Sequence, residues 1–197
     1  DGITLSAAWN LPYNTARFAV TGKTIAGVSY VFVLAEANVD DVVFRRGVLL
    51  ANSIAFDAEQ VAFDGTSSVE HYTAPFLSLD DNNYVWVGAL LDTGATTVNR
   101  YGCIVRRSEQ RAFAPTLSWS NAAHVGKYSG ELKAALLIPR PCSEMYLVQN
   151  CENGAAVGYL FNGTSWSDAN RGGDFSWFGY ANQGLDHTVS ASTTLNG

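Results

Sequence analysis

Apolar residues in this chain recur in short runs, some unbroken and some alternating with polar residues. Each run is closed by Gly, Asn, Asp or Pro. A period of two sends successive side chains to opposite faces of a strand. The runs are rich in Val, Ile, Thr, Phe, Tyr and Trp, which suit a pleated, half-buried surface. The pattern predicts strands over residues 3–9, 17–21, 25–34, 42–45, 48–56, 60–63, 69–72, 84–91, 101–106 and 114–119. Five more are predicted over 132–138, 145–149, 156–161, 175–180 and 188–193.

The breakers carry turn chemistry. Asp64-Gly65, Asn153-Gly154 and Asn162-Gly163 are hairpin dipeptides, because Asn, Asp and Gly tolerate positive φ. Asp80-Asp81-Asn82-Asn83 and Arg171-Gly172-Gly173-Asp174 read as polar loop tips. Turn signals about every 8–12 residues predict an all-β fold, an antiparallel, jelly-roll-like β-sandwich with few or no helices. Helical spacing shows in two places. Val43, Gly47, Leu50 and Ile54 fall at i, i+4, i+7 and i+11 within residues 40–57, although Gly47 costs a helix about 1 kcal/mol against alanine. Residues 108–113 form the second candidate.

Length and composition narrow the picture. The chain has 197 residues, 47% of them hydrophobic and 15% charged. That is too apolar for a disordered chain and long enough to bury a core without metal or disulfide help. One domain over residues 1–197 is expected, with a C-terminal hairpin extension from about residue 142 as the alternative division. Pro139-Arg140-Pro141 reads as a rigid crossover, since both prolines lack an amide donor and favour extended neighbours. No run is long enough to insert in a membrane as a helix. The start at Asp1, without a methionine, reads as a processed chain or a fragment.

The net charge is -6, which disfavours nucleic acid as a partner. The charge is uneven: residues 1–98 carry 4 basic and 11 acidic groups, residues 99–197 carry 8 and 7. Arginine outnumbers lysine nine to three, so planar, bidentate pairing is available. Arg100, Arg106, Arg107 and Arg111 cluster in sequence and are expected either to form salt bridges across a subunit interface or to line a plain solvated strand edge.

Catalytic motifs are missing from the sequence. There is no G-x-S-x-G elbow or S-x-x-K pair, and no phosphate-binding glycine loop. His71, His124 and His187 are isolated. A glycoside hydrolase would need two carboxylates across a cleft; Glu36, Glu59, Glu70, Glu131, Glu144 and Glu152 are available, but a sequence gives no distance. Cys103, Cys142 and Cys151 make an odd count, so free buried thiols are expected, with a Cys142–Cys151 bridge as the alternative. No cofactor is expected apart from Ca²⁺, for which Asp80, Asp81 and Asn83 offer oxygens in one turn; an ordinary hairpin tip explains the same residues. Asn162-Gly163-Thr164 also fits the N-glycosylation pattern.

The strongest chemical signal is aromatic. Trp166, Phe175, Trp177, Phe178 and Tyr180 lie within fifteen residues, after Tyr159 and Phe161. Strand alternation puts aromatics on both faces of 175–180. One face is core; the other is either core as well, in a two-sided sandwich, or suits a sugar ring or a subunit interface.

In style, with short strands, Ala/Gly/Thr/Asn-rich turns and few lysines, the chain resembles β-sandwich modules of bacteriophage virions, and equally secreted carbohydrate-binding modules. The first resemblance implies a non-enzymatic structural or adhesion module, a tail-fibre tip or capsid decoration. Such a module would be extracellular or at the virion surface, homo-oligomeric (a trimer favoured), and in contact with host glycans. The number of apolar strands, beyond what the inner faces of one sandwich need, supports this reading. The alternatives are a monomeric secreted carbohydrate-binding module and a glycoside hydrolase with a carboxylate pair.

Overall fold

The computed structural model describes residues 17–37, 40–65, 71–94, 101–128, 132–151 and 156–168. They form strands β1 Phe18–Ile25, β2 Val28–Ala37, β3 Asp41–Leu49, β4 Ile54–Phe56, β5 Gln60–Phe63, β6 His71–Leu79 and β7 Tyr84–Asp92. The rest are β8 Tyr101–Arg111, β9 Ala123–Tyr128, β10 Leu132–Pro139, β11 Met145–Cys151, β12 Ala156–Phe161 and β13 Trp166–Asp168. The one helical element among the described residues is a 3₁₀ turn, Pro141–Ser143. The expected all-β, antiparallel architecture is observed. The two stretches with helical spacing fall largely in β3 and β4 and at the end of β8. Within 40–57, buried Val42 and Phe44 point to one face and Val43 to the other, which is strand alternation.

Three antiparallel sheets follow one another along the chain. The first runs β1-β2-β3-β4, with β5 also on β3; the middle one runs β6-β7-β8-β9; the third runs β10-β11-β12-β13. Each is a meander of consecutive strands, and the strand interleaving of a jelly roll is not seen among the described residues. Short turns join β1 to β2 and β6 to β7, whereas residues 112–122 link β8 to β9. At Ala26-Gly27 both φ values are positive (49° and 80°), which matches the right-handed twist of β1 and β2.

The middle sheet is covered on both faces. Val85, Val87, Ala89 and Leu91 of β7 pack with Phe32, Leu34, Val42 and Phe44 of the first sheet. Trp86 and Leu90 of the same strand pack with Leu137, Met145 and Leu147 of the third. This explains the unbroken apolar run of β7, as a strand buried on both sides has no solvent face to alternate with. Gly88 lies among these residues for a steric reason. A Cβ there would stand 2.2 Å from the Phe76 ring.

Strand β6 shows why sequence pattern fell short. A strand was expected over residues 69–72, short of Ala74-Pro75, and proline is rare inside a paired strand. The strand instead continues through a bulge between Thr73 and Phe76. The bulge holds the proline and flips the alternation: Tyr72 faces the first sheet before it, Leu77 and Leu79 after it. Ala74 takes φ 46°, and its N–H donates to Glu36 Oε1 of the first sheet at 2.8 Å.

Two connections differ from expectation. Pro139-Arg140-Pro141 is the tip of the β10–β11 hairpin, with Pro139 opposite Met145, and not a crossover. It turns through positive φ at Cys142 and Ser143. Residues 114–119 form no strand; Trp119 makes a single bridge to Ser108. That loop is tied down by Arg46, whose buried guanidinium donates to the carbonyls of Ala112 (2.7 Å) and Ala114 (2.5 Å) and to Asp57 (2.6 Å). Cys103 is a buried free thiol and Cys142 an exposed one. A Cys142–Cys151 bridge is excluded because the two lie at opposite ends of β11, about 20 Å apart at a strand's rise, where a disulfide needs less than about 7 Å. The predicted strands at 3–9, 175–180 and 188–193 lie outside the described residues.

Candidate functional site

The Asn162-Gly163 turn places one side chain of the site. Asn162 Oδ1 accepts the N–H groups of Thr164 and Ser165, each at 3.0 Å, and Gly163 takes φ 93°. This closes β12 onto β13 so that Trp166 lies directly opposite Phe161. Their rings are 5.5 Å apart, tilted at 53°. The Asn162 side chain of the glycosylation pattern is thus the organiser of this turn.

The third aromatic comes from the middle sheet. The Trp86 ring meets Phe161 edge-on at 5.0 Å and Trp166 at 6.0 Å. Such T-shaped pairs exploit the ring quadrupole. Trp86 is itself only 2% exposed, and its Nε1–H donates to Asp80 Oδ2 at 3.1 Å. The other Asp80 oxygen accepts the N–H of Tyr84 at 2.9 Å. The carboxylate that the sequence offered to calcium is thus fully buried and holds its own hairpin together. Asp81 is exposed at the tip. Asn83 takes φ 66°, and its carbonyl accepts the N–H of Ala112 at 2.7 Å. Among the described residues no three His, Cys, Asp or Glu side chains stand together as a metal site.

Arg107 pairs with Trp86 in the β7–β8 register. Its guanidinium lies 4.9 Å from the Tyr84 ring centre and 5.6 Å from that of Trp86, a stacked arrangement that a ring's negative face favours. Its backbone is fixed from outside the strand. Arg107 N–H donates to Ser120 Oγ at 3.1 Å, and Ser120 N–H to the Arg107 carbonyl at 2.8 Å. The result is a pocket of about 440 Å³ between the middle and third sheets. Trp86, Phe161, Trp166, Val105 and Ala123 supply apolar wall; Arg106, Arg107, Ser120, Asn121, Thr164 and Ser165 supply polar groups. Among the described residues the lining holds no carboxylate and no histidine.

The predicted arginine cluster divides. Arg106 turns toward the first sheet, donating to the Ala62 carbonyl at 2.8 Å and lying over Phe63 at 5.5 Å. Arg107 faces the third sheet. Arg111 ends β8, exposed and opposite Tyr84. Arg100, Phe175, Trp177, Phe178 and Tyr180 lie outside the described residues. Of the predicted aromatic set, Trp166 is placed in the pocket. Sequence reasoning missed Trp86, Ser120 and Asn121 as site residues. Trp86 was legible in one respect, as the large ring in a run apolar on both faces. Ser120 and Asn121 carry no pattern of their own and reach the site only because a loop folds back on β8. His71 bonds Asp40 through Nδ1 at the other side of the fold, away from the pocket lining.

No protein-family model matches this chain, and no curated protein matches it in sequence.

Proposed function

We propose that this chain is a non-enzymatic adhesion module that binds a saccharide in the pocket between its middle and third sheets. The observation that carries this reading is the pocket's make-up. An aromatic wall of Trp86, Phe161 and Trp166 is rimmed by Arg107, Ser120, Asn121, Thr164 and Ser165. A sugar ring has an apolar face and a hydroxyl edge, and such a wall and rim answer both. A panel of immobilised glycans tests it. Retention of one glycan class is expected, with loss of at least about tenfold in affinity on Trp166→Ala, the scale of one good aromatic contact. Asn121→Ala, at an exposed rim position, is the variant for which folding is not at issue and should weaken binding less. No retention of any glycan by the intact chain would remove the reading.

A second reading, a subunit of a homo-oligomeric surface assembly of the virion kind, is favoured by a different observation. Phe18, Ala35, Val43 and Val61 form one row across the outer face of the first sheet. Phe18 and Val61 are 54% and 52% exposed. Ala35 and Val43 between them are buried, so the exposed apolar side chains stand at the two ends of the row, where they invite a partner. Light scattering should then give a discrete multiple of 21.2 kDa; a monomer at high concentration would count against it.

A further inference from the structure

We infer that the pocket selects an acidic sugar and that Arg107 receives its carboxylate. This rests on the saccharide reading and makes it more specific. Arg107 is stacked over Tyr84 and Trp86, and its guanidinium has no carboxylate partner among the described residues. Three other arginines are engaged: Arg46 by Asp57 and two carbonyls, Arg106 by the Ala62 carbonyl, and Arg140 by Glu144 and Tyr146. Stacking uses the flat face of a guanidinium and leaves its N–H donors available. Those donors form a planar fork that matches a carboxylate with two parallel hydrogen bonds.

The surroundings favour an anion at this point. Among the described residues that line the pocket none is acidic, and Arg107 is the arginine whose guanidinium faces the third sheet, since that of Arg106 turns to the first. The acid nearest to Arg107 in the sequence of β8 is Glu109, and its carboxylate is bonded by Ser118 Oγ. Asp80 lies behind Trp86, buried and bonded to the indole N–H. The chain's net charge of -6 opposes an anion at long range. That field is screened beyond about 8 Å in physiological salt, so the local cation decides at contact. The aromatic wall would take the ring face of the same sugar, with Ser120 and Asn121 near its hydroxyls. An isolated guanidinium in a polar surface groove would select nothing in particular. One placed over the Tyr84 and Trp86 rings beside an aromatic wall favours a ring that carries its own acid.

The experiment uses the full chain on a panel of neutral, sialylated, uronate-bearing and sulfated glycans, followed by calorimetric titration of the best binder and of its carboxyl-reduced form. A carboxylated glycan is expected to bind best, and at least about tenfold tighter than its reduced form, as a charge-assisted bidentate pair would give. Arg107→Gln should abolish that preference, so that the acid and its reduced form bind the variant with affinities within about twofold of each other. Arg107→Lys should restore it only in part, because an ammonium lacks the fork. Equal binding of the acid and its reduced form, or a preference for neutral or for sulfated glycans alone, would overturn the assignment to a carboxylate and leave the saccharide reading standing. Failure of every glycan to bind would overturn both.

Discussion

The middle and first sheets are built from the same kind of sequence and end in opposite situations. Strand β7 of the middle sheet is apolar at Val85, Val87, Ala89 and Leu91 on one face and at Trp86 and Leu90 on the other, and all six are buried. The first sheet is also apolar on both faces. Its inner face, Phe32, Leu34, Val42 and Phe44, is fully buried, but its outer row leaves Phe18 and Val61 half exposed. The difference is position in the stack. A central layer finds a partner on each side, whereas an outer layer finds one. The apolar strands that exceed the needs of a two-layer sandwich are therefore in good part absorbed within the chain, by a third layer. What remains for a partner is the narrower row on the first sheet.

Four variants test this contrast. The largest effect is expected for Trp86→Ala. It opens a cavity facing Phe161 and Trp166 and removes the donor from buried Asp80, so a loss of about 3–5 kcal/mol in urea unfolding is expected. Gly88→Ala should cost about 1–3 kcal/mol by overpacking, since the added methyl meets the Phe76 ring. A change near zero at Gly88 would mean that the middle sheet is looser than its packing indicates. Ala26→Asn should stabilise the β1–β2 hairpin by about 0.5–1 kcal/mol, because alanine is held at φ 49° where asparagine is better tolerated; a thermal melt reads it. The smallest stability change, within about 0.5 kcal/mol, is expected for Val61→Lys combined with Phe18→Lys. That variant should lower the solution mass if the outer row joins copies of the chain. Severe destabilisation would show instead that the row is as internal as β7.

Thiol chemistry adds a direct check on the layers. Cys142 is exposed at a hairpin tip, while Cys103 is buried between the middle and third sheets.

The strands at 60–63 and 156–161 were legible to the residue, because turn dipeptides bound them and nothing inside breaks the pattern. β6 was not, since a proline in a bulge looks like the end of a strand when its partner strand is unknown. The β1–β2 turn was also hidden: Ala26 is no turn former, and an apolar run continues across it. The site was half legible. Trp166 and Phe161 announce themselves as aromatics around an Asn-Gly turn. Arg107 announces a cation but gives no sign of which face it takes. Ser120 and Asn121 are ordinary loop residues until β8 is in place.

By itself the sequence determined the strand content, the antiparallel pairing of neighbours and the short turns, because these follow from side-chain alternation and from local φ preferences. Only the tertiary structure decided that consecutive meanders stack in three layers, that Asp80 turns inward to an indole, and that Arg106 and Arg107 face opposite sheets. The physical reason is range. Alternation fixes which side chains share a face, but which sheet covers that face depends on contacts between residues far apart in the chain.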